Sequence, residues 1–91
     1  MAANLDVEFR QRVFDAVRLI LPRLLGRNIP AIADSTELRG QLGLRSASTL
    51  ELLLELEDSL EIEIDVEQIG QGNMNTVGDL TDFVARHSTK D

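Results

Sequence analysis

Few side chains in this sequence could serve as the nucleophile or base of an enzyme. The 91 residues include no cysteine and a single histidine, His87, close to the C-terminus. Cysteine nucleophiles, disulfides and zinc–thiolate sites are therefore excluded. A Ser-His-Asp triad would need His87 to be carried far from the helix end where it is predicted to lie. Gly70-Gln71-Gly72 has no preceding strand and no Lys-Ser/Thr pair, so a phosphate-binding loop is not expected. We predict that the protein is not an enzyme.

Acidic side chains are concentrated in the second half of the chain. Residues 46–91 carry eleven acidic and two basic side chains, whereas residues 1–45 carry five acidic and seven basic ones. Carboxylates work as catalytic pairs only where burial separates their pKa values, and no EF-hand spacing is present, so we predict no metal site. The net charge of −7 opposes binding to nucleic acid or anionic membranes and favours basic patches on partner proteins. A solvated face that only aids solubility is the alternative interpretation.

The first half of the chain predicts one long helix and one long loop. Apolar residues recur at steps of three and four from Leu5 to Leu25, which indicates an amphipathic helix. Pro22 is expected to kink or end this helix near Leu21, and Gly26 is a suitable stop. Residues 27–45 are predicted to form a loop with one short helical turn, opened by a capping box at 34–37.

The second helix is predicted from about Ser46 to Leu60, with a capping box at 48–51. Leu53, Leu56 and Leu60, with Leu52 beside them, are expected to face the core. A second line of residues at steps of three and four is expected to face outward, and it leaves one leucine among carboxylates. This outer line consists of Ala47, Glu51, Leu54, Glu55 and Asp58.

The remaining segments are short. Residues 61–64 alternate like a strand but have no evident partner, so we predict an extended connection that buries Ile62 and Ile64. A short third helix is expected at 65–69, a turn at 70–73, a last helix from a cap at Thr76 to about His87, and a frayed tail at 88–91. The predicted fold is all-α: a single-domain four-helix bundle over residues 1–91, ordered from about 5 to 87, with a long loop between helices 1 and 2.

The sequence Leu42-Gly43-Leu44-Arg45-Ser46-Ala47 resembles the phosphopantetheine attachment motif of acyl and peptidyl carrier proteins. In that family the pattern is Leu-Gly-x-Asp-Ser-Leu, followed by a helix rich in Leu and Glu. The segments 61–64 and 76–80 are similar to the family's later elements, and the resemblance extends from the first helix to about His87. It implies that Ser46 carries a covalent 4'-phosphopantetheine arm, on which an acyl, aminoacyl or polyketide intermediate is held as a thioester. A helix start would favour such a phosphodiester electrostatically.

Two positions depart from the family pattern. Arg45 stands where Asp is usual before the modified serine, and Ala47 stands where Leu is usual after it. Both positions lie where the transferase that installs the arm would dock. The reversed charge either weakens a generic transferase or selects a dedicated one, and it favours a specialised biosynthetic pathway. If Ser46 is only an unmodified cap or loop serine, the protein would instead be a carrier-like bundle that acts as an acidic protein-interaction module.

The resemblance also implies the partners of the protein. The expected partners are a phosphopantetheinyl transferase, an acyl- or aminoacyl-loading enzyme and downstream synthases. Partner recognition is expected on a surface formed by Arg45, Ala47, Glu51, Leu54, Glu55 and Asp58.

The N-terminus does not resemble a signal peptide, and no apolar run approaches the length that crosses a bilayer. We therefore expect a soluble, monomeric, cytoplasmic protein.

Overall fold

The structure is a computed structural model that describes residues 2–26, 28–29, 31–65 and 74–90. Three helices account for most of these residues. The elements in chain order are α1 (Ala2–Leu25), α2 (Ser46–Leu60), β1 (Ile62–Ile64), α3 (Val77–Arg86) and β2 (Ser88–Lys90). The prediction of an all-α, carrier-like fold with a long connection between the first two helices is confirmed. The turn expected at 70–73 lies outside the described ranges, and so does the short helix expected at 65–69, except for its first residue, Asp65.

An aliphatic core joins the helices. α1 packs against both α2 and α3. The largest fully buried side chains come from all three helices and from the loop before α2, and they are almost all leucine and valine. They include Val13, Val17 and Leu21 of α1, Leu44 of the loop, Leu52, Leu53 and Leu56 of α2, and Val77, Leu80 and Val84 of α3. Of the four leucines of α2 predicted to face the core, only Leu60 is partly rather than fully buried.

Pro22 was expected to kink or end α1 near Leu21, but the helix does not end there and continues through Pro22 to Leu25. A proline inside a helix removes one hydrogen bond and costs about 3 kcal/mol or more. Here Leu21 is fully buried, and Leu24 and Leu25 pack against the core, so continuing the helix secures apolar burial that offsets this cost. Gly26 then ends α1 with a φ of 67°, a left-handed conformation that glycine adopts without strain.

The long loop is fastened to the start of α3 by backbone hydrogen bonds. The Leu38 amide donates to the Asn75 carbonyl (2.8 Å), and the Val77 and Gly78 amides donate to the carbonyls of Thr36 (2.8 Å) and Asp34 (2.9 Å). Arg10 of α1 strengthens this junction through ion pairs with Asp34 and with Asp82 of α3. The loop is therefore held by elements on both sides of the core.

The loop also contains the predicted helix-like turn, but the expected capping box does not open it. The Gln41 amide donates to the Glu37 carbonyl at 3.2 Å, and Leu38 and Leu42 are buried on the inner side of the turn. The Thr36 hydroxyl instead accepts from the Ala33 amide, upstream of the turn. The Gln41 side chain accepts from the Glu37 amide and takes the place of a cap.

A two-stranded antiparallel ladder corrects two predictions. β1 was expected to lack a partner and residues 88–91 to fray, but β1 pairs with β2 in the register Ile62↔Lys90, Glu63↔Thr89 and Ile64↔Ser88. Asp91 lies outside the described residues. β1 is held further by the Glu57 carboxylate of α2, which accepts a 2.7 Å hydrogen bond from the Ile64 amide. Ile62 and Ile64 are buried, as predicted.

The start of α3 is capped at Thr76, as the sequence predicted, and the cap is a reciprocal capping box. The Thr76 hydroxyl accepts from the Asp79 amide (3.1 Å), and the Asp79 carboxylate accepts from the amides of Asn75 (3.0 Å) and Thr76 (3.2 Å). These backbone amides lower the pKa of Asp79 below its ordinary value of 3.8. None of the helices in the described ranges is both long and apolar enough to cross a membrane.

Candidate functional site

Ser46 is the first residue of α2, as the sequence predicted. Arg45 occupies the N-cap position with an extended backbone (φ −113°, ψ −179°), and no side chain caps the helix. The Thr49 amide makes the first intrahelical bond, to the Arg45 carbonyl at 2.8 Å. The capping box predicted at 48–51 is therefore wrong, because Ser48 already lies inside the first turn. An uncapped helix start leaves amide hydrogens able to bind an acceptor such as a phosphate oxygen.

A buried anchor fixes the residue before Ser46. Leu44 is 1 % exposed, and its amide donates to the carbonyl of Leu38, which is also buried, at 2.8 Å. Between them, Gly43 has a φ of 71°, and its amide donates to the Arg39 carbonyl at 3.1 Å. The chain thus enters α2 from a closed turn packed on the core, and the backbone on one side of Ser46 is held in place.

An open concavity lies beside this entry, lined by Arg39, Gly43, Leu44, Arg45 and Ala47. Arg45 and Ala47 are exposed, as their predicted role in partner recognition requires. Arg39 was not among the predicted site residues. Its proximity to Arg45 could have been inferred from Gly40 and Gly43, since two glycines within four residues indicate a tight turn between the arginines.

The outer face of α2 brings together the remaining predicted residues. Glu51, Leu54, Glu55 and Asp58 line one shallow depression, and all four are exposed. Leu54 is 54 % exposed, which confirms the prediction of an apolar residue among carboxylates. None of these three carboxylates forms an ion pair with another described residue, so their charges remain available to a partner.

Leu50 belongs to this face and was missed. It is 43 % exposed and precedes Leu54 by four residues, so the two leucines lie on the same side of α2. Its spacing of three residues from Ala47 and four from Leu54 indicated that it lies on the outer face. It was missed because α2 has more leucines than one core-facing stripe can hold, and spacing alone does not show which of them stay exposed. We call the surface formed by Leu50, Glu51, Leu54, Glu55 and Asp58 the α2 acidic face.

His87 lies at the C-terminal end of α3 and does not belong to the surfaces around α2. It is the C-cap of α3, its ring lies against Phe83 with centroids 4.8 Å apart, and its carbonyl accepts from the Asp65 amide at 2.7 Å. The prediction of a histidine at a helix end is thus confirmed, although the ring is half-buried rather than free. No cluster of three metal-ligating side chains occurs within the described part of the chain.

Comparison with known proteins identifies the kind of site. Residues 15–84, which include α2 and the loop before it, match the family described as "Phosphopantetheine attachment site". The chain is also 36 % identical over 84 residues to a protein named "Acyl carrier protein" from Saccharopolyspora erythraea, a match that covers 88 % of this chain and 86 % of that protein.

The residues around the start of α2 fit such a group. A phosphodiester requires hydrogen-bond donors and positive charge, and an uncapped helix start and two exposed guanidinium groups supply both. The exposed Ala47 and the open concavity leave room for a flexible arm to leave the surface. The chain therefore belongs to the acyl and peptidyl carrier family, whose members are carriers rather than enzymes, and its covalent cofactor is 4'-phosphopantetheine.

Proposed function

We propose that this protein is a stand-alone acyl carrier, in which a 4'-phosphopantetheine arm attached to Ser46 holds acyl, aminoacyl or polyketide intermediates. The observation that carries the proposal is the position of Ser46 at the first residue of α2, within the matched range 15–84. The bound group supplies a terminal thiol that holds the cargo as a thioester. The protein itself supplies a fixed attachment point and a surface by which separate enzymes recognise it.

Attachment of the arm is a balanced transfer from coenzyme A. The Ser46 hydroxyl oxygen forms a bond to the phosphorus that bears the pantetheine, and the pyrophosphate bond of coenzyme A breaks. Adenosine 3',5'-bisphosphate leaves, and the hydroxyl proton passes to a base of the transferase. Apart from Ser46, the carrier's contribution is to hold the backbone of residues 44–46 in place, through the buried Leu44 and the first turn of α2.

The α2 acidic face is the proposed docking surface. Its three carboxylates attract basic patches on the transferase, the loading enzyme and the downstream synthases, and its two leucines provide apolar area that a partner can cover. It begins one turn after Ser46, so a partner bound there has its active site within reach of the arm. Such weak contacts allow one carrier to visit several enzymes in turn.

Arg45 and Ala47 adapt this surface to particular partners. Both are exposed at the entry to α2, and both differ from the Asp and Leu that are usual in the family. Arg45 disfavours a partner that presents a basic side chain at this point, and Ala47 offers less apolar area. We assign the protein to a specialised cytoplasmic biosynthetic pathway, served by a transferase matched to this pair. Efficient chain elongation on this carrier by the enzymes of fatty-acid synthesis would contradict that assignment.

Intact mass spectrometry tests the attachment site directly. The protein is incubated with coenzyme A and a broad-specificity phosphopantetheinyl transferase, alongside the variants Ser46→Ala and Ser48→Ala. Ser48 is a matched control because it lies in the same first turn of α2. We expect one phosphopantetheine adduct on the wild type and on Ser48→Ala, and none on Ser46→Ala. A folded protein that several transferases leave unmodified would point to an unmodified interaction module instead.

A further inference from the structure

Two arginines beside the attachment site have no acidic partner among the residues that the structure describes. Arg39 and Arg45 follow the buried Leu38 and Leu44, which are joined by the 2.8 Å hydrogen bond from the Leu44 amide to the Leu38 carbonyl. Both arginines are therefore brought to the same side of the closed turn, and both line the concavity next to Ala47. Neither forms an ion pair or side-chain hydrogen bond with any residue that the structure describes.

Two other arginines of the first half do have acidic partners. Arg10 pairs with Asp34 and Asp82, and Arg18 pairs with Asp15 and lies over the ring of Phe14 at 5.9 Å. In a chain with a net charge of −7, acids are abundant, yet none in the described ranges neutralises the two arginines of the concavity. Like charges placed together repel each other, and an anion bound between them relieves the repulsion. The open concavity thus carries the positive charge that attracts an anion.

We propose that Arg39 and Arg45 bind the phosphodiester of the arm carried by Ser46 and hold the root of the arm against the loop. This inference rests on the proposed attachment at Ser46. The phosphodiester carries one negative charge and two free oxygen atoms, which match the N–H groups of a guanidinium. It is bonded to the residue between Arg45 and Ala47, two of the residues that line the concavity. Covalent attachment makes the contact intramolecular, so even a weak interaction is populated.

A phosphodiester bound in the concavity leaves the α2 acidic face free for docking. The concavity lies on the loop side of Ser46, whereas the α2 acidic face lies along the following helix turns. A phosphodiester held by the arginines is drawn away from Glu51, the nearest carboxylate of that face in the sequence. The arm then begins beside the docking surface without covering it.

Phosphorus-31 NMR on the modified protein tests the contact. Wild type, Arg39→Gln, Arg45→Gln and the control Arg12→Gln are each converted to the modified form, and intact mass confirms one adduct before any spectrum is recorded. Arg12 is an exposed arginine of α1 that does not line the concavity. We expect the phosphorus resonance of the wild type and of Arg12→Gln to be shifted from that of free phosphopantetheine and to relax faster. Arg39→Gln and Arg45→Gln are expected to lose most of that shift and of the faster relaxation.

A salt titration of the modified wild type gives a readout that needs no variant. Raising the ionic strength to about 1 M shortens the screening length to about 3 Å, so the phosphorus resonance should move towards the free position. An identical phosphorus shift and relaxation in wild type and both concavity variants would overturn the proposal. If those variants were instead modified more slowly while the spectrum stayed unchanged, the arginines would serve an acidic partner and not the arm. Absence of any adduct would refute the attachment at Ser46, a separate result.

Discussion

Replacing Leu54 by Ala should weaken docking without weakening the fold. Leu54 is 54 % exposed, so a partner that covers the α2 acidic face can bury about half of its surface again. The substitution removes three carbon atoms, each of which contributes about 0.8 kcal/mol when fully buried. Covering about half of that area gives a loss of ~1 kcal/mol, which corresponds to about a five- to tenfold fall in kcat/KM for the transferase acting on this carrier.

The assay compares kcat/KM for arm transfer in the wild type, Leu54→Ala and the control Leu19→Ala. Leu19 is a leucine of α1 that is 72 % exposed and does not belong to the α2 acidic face. Urea unfolding of each protein should give free energies within about 0.5 kcal/mol of one another, since neither side chain is in the core. The docking argument fails if Leu54→Ala changes kcat/KM less than twofold, or if Leu19→Ala lowers it equally.

Three further substitutions test the packing that positions the site. Gly78→Ala should cost about 1 kcal/mol or more in urea unfolding, because its new Cβ would lie 3.1 Å from the Cβ and the carbonyl oxygen of Asp34; an unchanged stability would mean that the loop yields freely. Glu57→Ala should cost ~2 kcal/mol and speed hydrogen exchange of the Ile64 amide, which loses a charged acceptor; protection equal to that of the wild type would contradict this. Asp79→Asn should lower the unfolding free energy at pH 7. Because the pKa of Asp79 is lowered in the folded state, its contribution to stability is present above about pH 4 and is lost as pH falls through the folded-state pKa. The unfolding free energies of the wild type and of Asp79→Asn should therefore become equal in acid. A difference that stays constant with pH would contradict the argument.

The parts of the fold that could be predicted are those whose signals are local. The capping box at Thr76 and Asp79 involves neighbouring residues, and the apolar spacing that follows it requires no knowledge of the rest of the chain. The start of α2 at Ser46 was predicted for an incomplete reason, since the box expected at 48–51 lies within the helix. Buried Leu44 and the turn before it fix that start instead.

The parts that were missed depend on contacts between distant residues. β1 could not be recognised as a paired strand because its partner, β2, follows a whole helix later in the chain. Continuation of α1 past Pro22 depends on how deeply Leu21 and its neighbours pack, which spacing alone does not give. Arg39 is a different case, because the turn that brings it beside Arg45 is local and Gly40 and Gly43 indicated it.

Charge around Ser46 divides the site into two parts of opposite sign. Arg39 and Arg45 lie on the loop side of Ala47. Glu51 begins a row of carboxylates on the helix side, none of which forms an ion pair with another described residue. A basic partner surface is attracted by the α2 acidic face and repelled by the arginines, so it can approach favourably in only one orientation. A phosphodiester bound in the concavity would cancel one of the two positive charges there. The modified carrier would then repel basic partners less than the unmodified one does. The enzymes that use the arm would therefore bind the modified carrier in preference to the unmodified one.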